Sequence, residues 1–434
     1  MNTNHELSTF QTRRAVLETI GASGIAATLG STSVAAQNND RELWSFETSG
    51  AIQRAPTVVD GTAYVSNEDN KLYAVDAETG TEEWVFNGTE NDFSVAKVND
   101  GVVYVNEHDN FYALNAETGT VEWEKNFITR RFSPTIANNT IFIGGIDSTF
   151  YAMDTRNGEQ KWEFETNSGF ITPESTIVDD TVFFADAAYN MDNQLLRALD
   201  AETGEEQWSF GLDYRTKMAP VVSNNRLFIG TARGDNENNV FYSIDAENGT
   251  ELWNYTIGHD VWKPPTVADG TVFIGVDSGF DDVGLVALVA ADGTERWTLE
   301  TDDIHSSPTV AGETVFVGSG DNNLYAADIE TGEEQWAFET GSSISSSPIV
   351  VDGTVYFGSD DKKLYAIDAG VEESSDGSRA QLQILGHHSN SQSIDQSTNI
   401  TSNGLQEGIM AGVGIAALGA FGYTLKRKYN QNSE

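Results

Sequence analysis

Short apolar runs with a two-residue alternation follow one another from residue 41 to residue 369, each bounded by Gly, Asp or Asn, and no helical stripe interrupts them. They come in groups of four, as antiparallel sheets require. The last group holds Pro348-Ile349-Val350-Val351, Thr354-Val355-Tyr356-Phe357-Gly358 and Leu364-Tyr365-Ala366-Ile367-Asp368, and its fourth run is missing. Glu42-Leu43-Trp44-Ser45-Phe46-Glu47 stands unpaired at the other end of the pattern. This N-terminal strand is expected to complete the final sheet and close a ring, which removes open strand edges.

A fixed phrase marks each group. In Leu72-Tyr73-Ala74-Val75-Asp76-Ala77-Glu78-Thr79-Gly80 a tryptophan, Trp84, follows the glycine by four residues. The marker tryptophans are Trp44, Trp84, Trp123, Trp162, Trp208, Trp253, Trp297 and Trp336, spaced 40, 39, 39, 46, 45, 44 and 39 residues apart. A period near 40 built of short strands predicts an all-β fold: an eight-bladed β-propeller of four-stranded antiparallel blades. Asp60-Gly61, Asp100-Gly101, Asn138-Asn139, Asp269-Gly270 and Asp352-Gly353 supply the tight turns between first and second strands. The marker tryptophans are expected to wedge between neighbouring blades as structural residues.

The spacing Ala-x-Asp-x-x-Thr-Gly-x-x-x-Trp, complete at Ala74 to Trp84, Ala198 to Trp208 and Ala326 to Trp336, resembles the tryptophan-docking motif of quinoprotein-type (PQQ-like) propeller repeats. Two groups share that motif: quinone-dependent dehydrogenases, and a BamB-like branch of non-catalytic scaffolds. The resemblance thus implies the fold and leaves the function to the site. The dehydrogenases use Ca²⁺, an Asp base and often a vicinal disulfide beneath the cofactor. This chain has no cysteine, its blades are short, and no segment matches the calcium ligands. The non-catalytic branch is therefore the preferred reading, with no cofactor and no metal expected; pyrroloquinoline quinone with Ca²⁺ belongs to the alternative.

Charge and the chain ends add location. Lys+Arg of 24 against Asp+Glu of 67 leaves −43, which excludes nucleic-acid binding and suits a high-salt medium that screens self-repulsion. Residues 1–36, with Thr12-Arg13-Arg14-Ala15-Val16-Leu17 and the small residues Val34-Ala35-Ala36, read as a twin-arginine export signal. Residues 37–369 form the propeller, 370–407 a Ser/Asn/Gln-rich stalk, 408–425 an uncharged stretch of transmembrane-helix length, and 426–434 a tail opening on Lys426-Arg427-Lys428. A propeller outside the cell, held by a single C-terminal span, is the expectation. Sequons at Asn87, Asn138, Asn248, Asn254 and Asn399 are compatible with that side of the membrane.

Function in such a fold gathers on the face where the loops leading into each inner strand meet the hairpins between second and third strands. Aligning these loops on the Pro56, Pro134, Pro220, Pro265, Pro308 and Pro348 position puts Gln53, Phe93, Arg131, Thr172, Lys217, Trp262, His305 and Ser345 in one ring, with Arg54, Phe132 and Lys263 in the next. Trp262 is the one tryptophan outside the repeat motif. With Arg54, Arg131, Lys217 and Lys263 it would suit a planar anion, by stacking and paired Arg contacts. Phe93, Phe132, Tyr214 and Trp262 would suit a sugar or polymer. Hairpins at 186–193, 233–239 and 277–282 lengthen on one arc, as a docking surface would. The candidate site is thus Arg54, Phe93, Arg131, Phe132, Lys217, Trp262, Lys263 and His305, facing another protein or a cell-surface component.

Overall fold

The computed structural model describes residues 40–89, 93–126, 132–166, 171, 174–186, 194–232, 239–277 and 284–375. The export signal, the transmembrane stretch and its tail, most of the stalk and the three hairpin extensions lie outside the described residues. Among the described residues no helix is long and apolar enough to cross a membrane.

The strands form eight four-stranded antiparallel sheets, each a meander in chain order except the last. There Glu42–Glu47 pairs with Lys363–Asp368 beside Thr354–Gly358 and Ile349–Val351. The inner strands Thr57–Val59, Lys97–Asn99, Thr135–Ala137, Thr176–Val178, Val221–Ser223, Thr266–Ala268, Thr309–Ala311 and Ile349–Val351 pack successively, and the eighth returns to the first. The ring is therefore closed as the sequence predicts. We number blades from Thr57–Asn87 (blade 1) to the composite blade 8. The chain leaves blade 8 later than residue 370, since Ser375 is still buried with its hydroxyl donating to Val350 O at 2.9 Å.

What holds one blade to the next is local and repeated. Every outer strand carries a bulge just before its tryptophan, such as the register shift where Trp84 faces Ala74 while Glu82 faces Val75. Bulges re-aim the side chain that follows. The re-aimed indole N–H donates to a backbone carbonyl of the following blade: Trp44 to Ala77 at 3.0 Å, Trp84 to Ala116 at 2.9 Å, Trp208 to Ala246 at 3.0 Å and Trp297 to Ile329 at 3.1 Å. The ring then lies flat on the turn glycine beneath. Gly80 has φ +71°, and a Cβ there would sit 2.7 Å from Trp44 Cδ2. The glycine of the motif is thus required twice, for a left-handed backbone and for the indole of the previous blade.

Candidate functional site

Two further contacts, neither expected from the sequence, build the loop face. Threonines opening the inner strands donate to the carbonyl that precedes the next inner strand: Thr57 to Ala96 O, Thr135 to Ser175 O and Thr309 to Pro348 O, each at 2.6 Å. Thr176 and Thr266 do the same to Pro220 and Pro308. In the lead-in loops of blades 1, 6, 7 and 8 one apolar residue also seats against a glycine ending a second strand: Ile52 on Gly358, Val261 on Gly230, Ile304 on Gly275 and Ile344 on Gly318. Both contacts fix the lead-in loops as rigid mounts. The Pro-Thr dipeptides at 56, 134, 265 and 308 were the readable signal for the first.

The next ring position is mostly structural. Ser94 Oγ accepts from Asn106 N at 3.2 Å, Ser306 Oγ from Gly318 N at 2.8 Å, Ser346 Oγ from Gly358 N at 3.1 Å, and Met218 Sδ from Gly230 N at 3.3 Å. Arg54 and Lys263 occupy this position in blades 1 and 6.

The predicted site residues separate into three groups. Lys217 and Trp262 meet, with the Lys217 ammonium 3.2 Å from the indole ring centroid, a cation–π contact across blades 5 and 6. Burial lowers the Lys217 pKa and Arg215 adds to the shift, while Asp260 and Asp277 oppose it. The Trp262 Nε1 is buried without a hydrogen-bond partner among the described residues. His305 stands close by this pair's acidic neighbours, its Nε2 3.4 Å from Asp277 Oδ2.

The second group faces the axis. Burial lowers the Lys263 pKa, the nearby Arg54 adds to it, and Glu174 of blade 4 acts against both. Lys97, unnoticed in the sequence because it replaces a threonine of the inner belt, is 1% exposed. Burial pushes its ammonium down to about 8, again against the pull of Glu174. Side chains from blades 1, 2, 4 and 6 thus share one electrostatic neighbourhood, three from lead-in loops and Lys97 from an inner strand, as residues beside the ring's centre can.

The third group is a correction and two placements. Phe93 is fully buried, packed at 5.7 Å from Phe86 and 6.3 Å from Tyr112 between ring centroids, so it offers no face to a ligand and is part of the blade 2 core. Its lead-in loop turns inward because Phe93 bridges to Glu107. Phe132 is half-buried, and Arg131 lies outside the described residues.

With this geometry in view, the family model described as outer membrane protein assembly factor BamB matches residues 14–98, 93–191, 192–302 and 276–403. The chain belongs to this BamB family. Among curated proteins none matches it in sequence. The crystal structure of BamB from Moraxella catarrhalis is similar at a TM-score of 0.62 and 15% identity, over 75% of this chain and 99% of that one. The quinohemoprotein alcohol dehydrogenase of Comamonas testosteroni is similar at 0.61 and 18%, over 79% of this chain and 78% of that one. Sqt1 of Saccharomyces cerevisiae reaches 0.64 at 11%, over 75% and 98%. At such identities the likeness shows the propeller alone. Within a BamB-family frame this chain carries the Lys217–Trp262 stack, the axial cations, and the acids around His305.

Proposed function

We propose that this BamB-family propeller is a non-catalytic, protein-binding module whose loop face, centred on blades 5 and 6, docks another protein or a cell-surface component. One observation carries the reading. One face of the Trp262 ring, the feature a planar quinone would stack on, is already covered by the Lys217 ammonium at 3.2 Å. A half-buried aromatic capped by a cation on rigid mounts is instead the composition of a docking hot spot. The family's description as an assembly factor and the absence of cysteine support the same choice. In this reading residues 1–36 direct export by the twin-arginine route, residues 408–425 anchor the protein in the membrane with the propeller outside, and the acidic surplus serves a saline exterior.

The test is crosslinking on intact cells, comparing the wild-type chain with Lys217→Glu and Trp262→Ala. A crosslinked partner lost from both variants, with circular dichroism unchanged, supports docking there. Undiminished crosslinking moves the partner to another face.

A second reading, a quinone- or anion-binding propeller, is favoured by Lys97 and Lys263, which both feel Glu174, and by Arg54 beside Lys263. Calorimetric titration with pyrroloquinoline quinone plus Ca²⁺ decides it. Saturable heat at about micromolar concentration supports this second reading, and no heat removes it.

A further inference from the structure

In three blades an acid at or just beyond the end of the second strand stands beside a backbone bridge to the lead-in loop: Glu107, Asp186 and Asp277. Their surroundings differ. Glu107 accepts from Thr89 N at 3.0 Å, Thr89 Oγ1 at 2.7 Å and Tyr112 Oη at 3.0 Å. Asp186 accepts from Leu195 N at 2.8 Å and pairs with Arg197 Nε at 2.7 Å. The Asp277 carboxylate has no backbone or arginine donor among the described residues; its partner is His305 Nε2 at 3.4 Å. One ligand atom from each of Asp277, Asp303 and His305 lies within 4.8 Å of the other two.

We propose that Asp277, Asp303 and His305 bind a divalent d-block cation of the Zn²⁺ class, linking blade 6 to the lead-in loop of blade 7. Two carboxylates and an imidazole at this separation need only a small closure to reach the roughly 2.0–2.2 Å bonds of such an ion, leaving a fourth position for water or a partner's side chain. The nitrogen donor decides the class, since Ca²⁺ collects six or more oxygens whereas imidazole suits zinc and its neighbours.

The three ligands hang from fixed backbone. Ile304, between Asp303 and His305, is buried against Gly275 and donates its N–H to Val276 O at 3.1 Å. Asp303 O accepts from Gly320 N at 2.9 Å, and Asp277 N donates to Asp260 O at 3.0 Å. Asp260 is itself held by Asn239 Nδ2 at 2.7 Å.

The experiment uses the untagged full chain carrying His387→Gln and His388→Gln, which removes the stalk imidazoles, stripped of metal with a chelator and titrated calorimetrically with Zn²⁺ and separately with Ca²⁺. We expect one equivalent of Zn²⁺ bound at about micromolar affinity, and weakening of roughly tenfold or more in His305→Gln and in Asp277→Asn at unchanged circular dichroism. Asp303→Asn gives the same reading should Asp277→Asn fail to fold. Zinc affinity unaltered by His305→Gln, no saturation below about millimolar, or equal affinity for Ca²⁺ would overturn the assignment.

Discussion

The Trp–Gly docks and the blade 5–6 loop face are built on the same repeat and obey opposite rules. At the docks, Trp44, Trp84, Trp123, Trp162, Trp208, Trp253 and Trp297 each donate to the carbonyl at the same place in the following blade. At the lead-in loops, the aligned position holds glutamine, phenylalanine, arginine, threonine, lysine, tryptophan, histidine and serine, one in each blade. The docks tolerate no variety because two blades must match through one indole. The loops tolerate it because the threonine belt and the Ile–Gly seats already hold their ends. Chemistry is therefore free to vary only where the frame has been secured by other contacts.

This contrast can be broken from the frame side with the largest effects. Deleting residues 41–47 removes the closing strand and exposes the edge of Lys363–Asp368; loss of the cooperative unfolding transition and aggregation on size-exclusion chromatography are expected. Next in size, Trp253→Ala vacates a site that is 9% exposed, deletes the bond to Ala290 O, and should cost about 3–5 kcal/mol in chemical denaturation.

Lys97 sharpens the contrast, because it puts a charge where the other inner strands open on threonine, valine or isoleucine. Its folded pKa of about 8 lies below the ordinary lysine value, so above pH 8 the unfolded chain holds more protons than the folded one and stability rises with pH until lysine titrates normally. Lys97→Met should be more stable than the wild type at pH 7, on the order of 1–3 kcal/mol, with the difference shrinking between about pH 8 and 10. Melting temperatures across that range measure it. Thr57→Val, which removes one belt hydrogen bond, should cost only about 1 kcal/mol.

The frame was legible in the sequence because each of its elements repeats within a single period: the strands, the ring closure and the eight tryptophans all follow from residues about 40 apart. The bulge before each tryptophan was hidden, since register shifts leave no mark in an alternating pattern. The site was legible only in part. Lys217 and Trp262 are in contact, for both stand at one ring position in neighbouring blades. Phe93 shares that position but turns inward to Phe86 and Tyr112, and alignment by position cannot show which way a loop folds. Lys97 and Glu174 were missed because their partners come from blades far apart in sequence, beyond the reach of any local pattern.

The most direct test of the docking account is crosslinking of the full-length protein on intact cells, with Lys217→Glu set against a control reversal, Lys363→Glu, on blade 8. The account predicts that the partner is retained by the control and lost with Lys217→Glu while both variants melt within a few degrees of wild type. Equal crosslinking by the two variants would contradict it.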